Sequence, residues 1–208
     1  MPREIEYRGE AVTTGIYKHA VDGPLHVRRL NIDGDGQADL SVHGGVDKAV
    51  YAFPSEHYAV YQQQLDQSKY DPGQFGENLT TLGMLETEVR IGDRYRIGDA
   101  LLEVSQPRSP CYKFAIRMDT AQALRVCIEL ALTGFYLRVI EEGEVRGGDD
   151  IELEVSDPAM PSVDRVHRTY YLERDNLEAL RQCAACVPLA SAFRDAFVAR
   201  LGELETRS

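Results

Sequence analysis

The spacing of apolar residues along the chain changes near residue 157 and divides the predicted structure in two. Before that point, apolar and polar residues alternate in short runs that glycine, proline and aspartate separate. These runs predict strands at 11–17, 25–32, 89–105, 135–140 and 151–155. Short strands at this spacing are typical of a barrel or a sandwich, so the first part of the chain is predicted to be mainly β.

The remainder of the chain is predicted to be helical. Asp157-Pro-Ala-Met-Pro161 contains two prolines, which break either regular structure, and it is therefore a predicted linker. Three helices are predicted after it, at 162–172, 175–187 and 188–203. Because three short helices bury little apolar surface alone, we expect them to dock on the β region or on a partner. The predicted domains are 1–156 and 162–208.

Two further helices are predicted at the periphery of the β region. The first begins at Pro54, since proline is favourable at the first helical position, and it ends near Gln67. The second has Asp119 as its N-cap and Gly134 as its C-terminal stop. The predicted fold class is thus mainly β with peripheral helices and a small C-terminal three-helix domain.

Composition and charge exclude several classes of protein. The chain has 208 residues, of which 43% are hydrophobic and 27% charged, as is ordinary for a globular protein. A formal net charge of -11 argues against a nucleic-acid polymer as the main partner. No apolar run approaches the roughly 18 residues that a membrane-spanning helix needs. The first residues lack the apolar core of a signal peptide, so we expect a cytoplasmic protein without a membrane partner.

The four cysteines have different surroundings in the sequence. Cys127 lies beside the apolar stripe of a predicted helix, and Cys183 and Cys186 lie inside another, so core packing is the preferred interpretation for all three. Zinc binding at Cys183 and Cys186 would need two more ligands, which are not visible nearby. Cys111 instead follows an apolar run and stands between Arg108 and Lys113, where a thiolate is favoured.

Cys111 is therefore the candidate reacting centre. Pro107 and Pro110 predict an extended, stiff loop that presents the thiol to electrophiles or to a soft metal. The alternative from these residues alone is a half-buried cysteine that packs as a small hydrophobic side chain.

Two glycine-containing segments add candidate polar groups. In Ser41-Val-His-Gly-Gly-Val-Asp-Lys48, the consecutive glycines allow backbone N–H groups to converge on an anion, and His43 titrates near neutral pH. The alternative is a tight turn with an incidental histidine. The acidic run from Asp33 to Asp39 fits neither an EF-hand calcium loop nor a dinucleotide fingerprint, so neither is predicted.

Three segments in order resemble the MOSC family, the type of domain found at the C-terminus of molybdenum cofactor sulfurases. They are Val42-His-Gly-Gly-Val-Asp-Lys48, Phe75-Gly-Glu-Asn-Leu79 and Gln106-Pro-Arg-Ser-Pro-Cys-Tyr-Lys113. Their spacing is similar to that of the YiiM-like subgroup, and the helical tail resembles its 3-alpha domain. The resemblance implies a β-barrel of the pyruvate-kinase type that binds the molybdopterin form of molybdenum cofactor.

The resemblance also implies a role for each matched residue. Cys111 would be the thiolate on molybdenum, and Asn78 would contact the pterin or the oxygen ligands of the metal. The other matched residues would line or contact the cofactor cavity: Lys18, His43, Gly44, Gly45, Lys48, Phe75, Glu77 and Arg108. Of these, Lys48 and Arg108 would meet the pterin phosphate or the substrate, and Lys18 matches only loosely.

These implications lead to three hypotheses of function. The first is a molybdenum-dependent reductase of N-hydroxylated purines or related N-oxygenated compounds, with His43 as proton donor. Because the chain has no haem, iron–sulfur or dinucleotide motif, its electrons would come from a separate reductase. The second is a non-catalytic carrier of molybdopterin or of its sulfur. The third is a thiol enzyme with Cys111 as nucleophile and His43 as base. The oligomeric state stays open, with a homodimer among the options.

Overall fold

The computed structural model describes residues 3–7, 9–36, 44–67 and 69–206, and His43 lies outside them. The strands in those residues are β1 (Arg3–Tyr7), β2 (Glu10–Thr14), β3 (Leu25–Arg28), β4 (Asn31–Ile32), β5 (Val50–Pro54), β6 (Leu79–Thr81), β7 (Arg94–Ile97), β8 (Ala100–Pro107), β9 (Phe135–Glu141), β10 (Gly143–Val145) and β11 (Ile151–Val155). The helices are α1 (His57–Leu65), α2 (Tyr112–Arg117), α3 (Gln122–Leu130), α4 (Val163–Tyr171), α5 (Leu177–Ala185) and α6 (Ser191–Glu205), and Val46–Lys48 forms a 3-10 turn.

The largest sheet has six strands in the order β11-β7-β8-β9-β5-β6. Strands β5 and β6 pair in parallel, and the other neighbours are antiparallel. Every residue of the central strand β8 is buried, because side chains on both of its faces meet other parts of the chain. The sheet curls into a half-barrel beside the three-stranded sheet β10-β3-β4, which confirms the predicted mainly β class.

The C-terminal helices share a continuous core with the sheet. Val104 on β8 belongs to the same apolar cluster as Val166 on α4 and Leu180 on α5. The backbone N–H of Ala190, just before α6, donates to the Ser105 carbonyl at 3.0 Å. The expectation that the three helices dock on the β region is therefore confirmed.

An aromatic cluster packs between β5, α1 and α2. The rings of Phe53 and Phe75 stack with centroids 4.0 Å apart, and Tyr61 and Phe114 pack around them. The buried faces of α1 and α2 thus meet the loop before β6. The cluster gives that loop a rigid support.

The predicted starts of two helices were wrong. Pro54 is the last residue of β5, where its missing N–H is tolerated at the end of the strand, and α1 begins at His57. Asp119 has a φ of 53° and does not cap a helix, while α3 begins at Gln122. The stop signal was also wrong, because Ala131, with a φ of 57°, ends α3 before Gly134.

Three of the four cysteines lie in the interior, as predicted. Cys127 and Cys183 have no exposed surface, and Cys186 is 1% exposed. Burial raises the pKa of each of these thiols, to about 11 for Cys183. Within the described residues, no helix combines the length and the apolar character that crossing a membrane requires.

Candidate active site

A pocket that is partly open to solvent lies where the loops after β2, β4 and β8 meet the loop before β6. The described residues that line it are Thr14, Gly15, Ile16, Lys18, Asp35, Gly36, Lys48, Tyr51, Phe75, Gly76, Asn78, Arg108, Cys111, Lys113 and Tyr136. Segments that are far apart in the sequence therefore contribute to one cavity.

Cys111, the residue immediately before α2, lines this pocket. Its backbone is extended, with φ of -130° and ψ of 170°, and the residue is only partly buried. The next residues anchor the loop on the β1–β2 hairpin: the ring of Tyr112 stacks on Tyr7 at 5.2 Å, and Lys113 Nζ donates to the Thr13 carbonyl at 3.1 Å. The thiol is thus held at the cavity and not in the packed interior.

Arg108 supplies a buried positive charge to the same cavity. The residue is 6% exposed, and its guanidinium lies over the rings of Phe114, at 4.5 Å, and Tyr51, at 5.3 Å. No carboxylate forms an ion pair with it among the residues that the structure describes. Burial lowers the pKa of Arg108, but the neighbouring hydroxyl and thiol groups outweigh this effect and raise it. The guanidinium is therefore charged and open to an anion.

Asn78 and Lys18 both form hydrogen bonds with the carboxylate of Asp35. Asn78 Oδ1 accepts the backbone N–H of Tyr51 at 2.9 Å, and Asn78 Nδ2 donates to Asp35 Oδ2 at 2.6 Å. Lys18 Nζ donates to the same carboxylate oxygen at 2.9 Å. Burial lowers the pKa of Lys18, and Asp35 opposes that shift. Both side chains are thus fixed by partners within the protein.

Glu77 does not line the pocket. Its carboxylate accepts the backbone N–H groups of Gly73 and Phe75, at 2.8 and 2.9 Å, and hydrogen bonds from the hydroxyls of Tyr58 and Thr80. These donors belong to α1, to the loop before β6 and to β6 itself. Glu77 therefore holds the shape of the pocket wall from behind.

Of the described residues of the glycine turn, 44–48, Lys48 is the one that lines the pocket. Gly44 and Gly45 are not among the lining residues. Gly45 has a φ of 95°, which glycine adopts without strain, and its carbonyl accepts the N–H of Lys48 at 3.0 Å. Burial lowers the pKa of Lys48, and Asp47 opposes the shift. His43, the predicted proton donor, is outside the described residues.

Close backbone packing seals one wall of the pocket. A Cβ added to Gly15 would lie 2.5 Å from the Gly36 carbonyl oxygen, and one added to Gly73 would lie 2.6 Å from that of Lys18. Any larger residue at these two positions would push the wall segments apart. The sequence gives no local sign of these approaches, because they join segments that are distant along the chain.

Several lining residues were missed by sequence reasoning. The predicted Cys111, Lys18, Lys48, Phe75, Asn78 and Arg108 line the pocket together. Asp35 was considered only within the acidic run, Tyr136 only as a strand residue, and Tyr51 was assigned no role. No pattern in the sequence indicated which buried side chains would face a cavity.

Two family models match the chain. The MOSC domain matches residues 39–152, and the YiiM-like 3-alpha helix domain matches residues 161–202. The Bacillus subtilis (strain 168) protein YflK is 37% identical over 98% of this chain and 91% of its own length. Protein YiiM of Escherichia coli (strain K12) is 37% identical over 72% of this chain and 68% of its own.

A longer relative and a solved structure extend the match. A protein of Gibberella moniliformis named reductase is 35% identical over 93% of this chain, which spans 35% of that protein's length. The crystal structure of YiiM from Geobacillus stearothermophilus superposes with a TM-score of 0.81 at 34% identity, covering 96% of this chain and 95% of the other.

Proposed function

From the premise that the chain belongs to the MOSC domain family and carries a YiiM-like 3-alpha domain, we propose a molybdenum-cofactor-dependent reductase of N-hydroxylated purines and related N-oxygenated compounds. A relative that matches almost the whole chain is named a reductase, which supports an oxidoreductase. The electron donor would be a separate reductase protein.

The observation that carries the proposal is that Cys111 and the unpaired cation of Arg108 line one cavity. Molybdopterin has a phosphate group and can carry a metal that accepts a thiolate ligand. A buried guanidinium without a carboxylate partner suits the phosphate, and a thiolate is a soft ligand suited to such a metal. The residues present therefore fit this cofactor.

Each cationic residue has a different availability for the phosphate. Arg108 lacks an ion-pair partner in the described part of the chain, and Lys48 also faces the cavity, so these two would hold the phosphate. Lys18 is already neutralised by Asp35 and would contribute less. Lys18 also matches the pattern of the MOSC family less closely than Lys48 and Arg108 do.

When bound, the cofactor would supply the two-electron redox chemistry, while the protein positions the substrate and delivers protons. Reduction of an N-hydroxyl group consumes two electrons and two protons and releases an amine and water. His43 remains the proposed proton donor on the basis of its sequence position, since an imidazole titrates near neutral pH. Phe75 and Tyr51 provide apolar walls that limit water in the cavity.

The test compares Cys111→Ser with Cys183→Ser, a matched change at a buried thiol outside the pocket. Both variants and the wild type are purified from molybdate-replete cells, and molybdenum content and hydroxylaminopurine reduction with a donor reductase are measured. We expect molybdenum and activity to be lost together in Cys111→Ser and kept in Cys183→Ser. A wild-type protein that contains no molybdenum and cannot be reconstituted with the cofactor would contradict the proposal.

The cations of the pocket also favour a second candidate, a carrier that binds molybdopterin without turnover. Arg108 and Lys48 can hold a phosphate independently of Cys111. A carrier predicts that Cys111→Ser keeps bound pterin and that the wild type shows no reduction with any donor. Pterin fluorescence measured on denatured protein separates this outcome from the reductase.

A further inference from the structure

Asp35 is the exception among the charged residues of the cavity. The other charged groups that line it, in the described part of the chain, are Lys18, Lys48, Arg108 and Lys113. The side chain of Asp35 is 12% exposed, so the carboxylate lies at the cavity wall and not in open solvent. The cavity therefore has one acidic point in an otherwise basic lining.

Among the residues that the structure describes, one oxygen of this carboxylate has hydrogen-bond partners. Asp35 Oδ2 accepts hydrogen bonds from both Lys18 Nζ and Asn78 Nδ2. Asp35 Oδ1 accepts none from the residues that the structure describes. The carboxylate is thus oriented by its Oδ2 atom and keeps Oδ1 as an acceptor.

The backbone around Asp35 is also fixed. Its N–H donates to the Ile32 carbonyl at 2.9 Å, and the following residue, Gly36, lies against Gly15, where even a Cβ would approach the Gly36 carbonyl oxygen to 2.5 Å. The close approach of Gly15 limits movement of the turn toward it, and movement away from Lys18 would break the hydrogen bond to Asp35. Asp35 Oδ1 is therefore a preorganised acceptor, which lowers the entropic cost of binding a donor.

A carboxylate oxygen at a cavity wall favours ligands that donate a hydrogen bond. A hydrogen bond to a charged group contributes about 1.5–3 kcal/mol. A ligand without a donor would displace water from Oδ1 and leave the oxygen unsatisfied, which costs about as much. The Asp35 carboxylate thus distinguishes ligands by whether they carry an N–H group and not by their size.

We propose that Asp35 is a specificity-determining residue whose Oδ1 accepts an N–H group of the substrate, so that the cavity selects amino-substituted nitrogen heterocycles that carry such a donor. This inference rests on the proposed function, because it assigns the base of that substrate to this site. Asp35 takes no part in the redox step.

The variant Asp35→Asn inverts the polarity at this point. Lys18 and Asn78 are both donors, so the amide oxygen of the new asparagine would stay with them and its NH2 group would face the cavity. The acceptor is then replaced by a donor of nearly the same shape. Asp33→Asn is the matched control, because Asp33 lies in the same turn and pairs with exposed Arg28.

The direct test measures binding to the metal-free protein by calorimetry, with adenine and with 9-methyl-6-dimethylaminopurine, which has no N–H group. We expect wild type and Asp33→Asn to bind adenine at least tenfold more tightly than the methylated base, and Asp35→Asn to bind the two about equally. The added methyl groups affect both proteins alike, so the interaction between the two changes isolates the N–H contact. Equal preference in wild type and Asp35→Asn would overturn the inference.

The comparison of the two bases on wild-type protein needs no variant. If wild type does not prefer adenine, the inference is wrong even if Asp35→Asn does not fold. With holoenzyme, Asp35→Asn should raise KM for hydroxylaminopurine about tenfold and change kcat less than twofold. Absence of reduction by wild type would refute the proposed function alone, whereas reduction with unchanged KM in Asp35→Asn would refute the role of Asp35 alone.

Discussion

Arg108, which is buried, and Arg138, which is partly buried, accommodate their positive charges in different ways. Arg138 on β9 donates to Asp47 at 2.5 Å, to Glu103 at 2.8 Å and to the Pro188 carbonyl at 2.7 Å. Arg108, after β8, has aromatic rings around its guanidinium and no carboxylate partner in the described residues. A buried charge is costly unless it is paired. The first arginine is paired with carboxylates of the protein, and the second can pair with an anionic ligand.

The positions of the two arginines explain this difference. Arg138 lies at the junction between the β region and the C-terminal helices, where its three acceptors come from the 3-10 turn, from β8 and from the residues before α6. Arg108 lies at the cavity wall beside Cys111. The junction is stabilised by internal pairing, whereas the cavity wall places a positive charge and a thiol side by side.

The largest expected difference between the cavity and the junction is in the reactivity of their thiols. Cys111 lines the cavity, while Cys183 at the junction side has no exposed surface and reacts only when the protein opens. Since global unfolding costs about 5–15 kcal/mol, we expect iodoacetamide to label Cys111 at least about 10³-fold faster than Cys183 in ligand-free protein. Peptide mass spectrometry over a time course measures both rates. Comparable rates would break the distinction between the two regions.

Replacing each arginine by methionine tests the charges. We expect Arg108→Met to weaken the binding of inorganic phosphate at least tenfold, because the unpaired cation is lost, with the free energy of unfolding kept or raised. We expect Arg138→Met to lower the free energy of unfolding by about 1.5–3 kcal/mol, since it leaves carboxylates at the junction without their partner. Calorimetry and urea denaturation of the ligand-free variants measure the two effects. Similar destabilisation by both substitutions would contradict this account.

The pH dependence of stability should report the buried thiol at Cys183. Burial raises its pKa from an ordinary value of 9.0 to about 11. Between these values the unfolded thiol is ionised and the folded one is not, so unfolding releases a proton and the free energy of unfolding falls as pH rises. We expect Cys183 to account for a loss of about 2 kcal/mol across this window. Cys183→Ala should lack that component in urea denaturation series, and an equal slope in both proteins would refute it.

The smallest expected effect concerns the support behind the cavity wall. Glu77→Gln replaces a carboxylate that accepts two backbone N–H groups with an amide that has a single acceptor oxygen. We expect the free energy of unfolding to fall by about 1–2 kcal/mol and phosphate affinity to change less than that of Arg108→Met. Denaturation and calorimetry of the same samples check this order. A larger loss of affinity than in Arg108→Met would place Glu77 among the binding residues.

The local patterns of the sequence predicted most of the sheet strands, the three C-terminal helices and the segments around Lys48, Asn78 and Cys111. They did not predict the short helix α2, because the prolines before it indicated an extended loop. They also missed Asp35, whose place at the cavity depends on the contact of Gly36 with Gly15. Such contacts join distant segments, and no periodicity in the chain records them.

Above all, we propose that Cys111, which lines the cavity beside Arg108, is a ligand of molybdenum. X-ray absorption at the molybdenum edge, on wild type and Cys111→Ser reconstituted with the cofactor, counts the sulfur atoms bound to the metal. The account predicts one sulfur fewer in Cys111→Ser than in wild type. The same number of sulfur ligands in both proteins would contradict it.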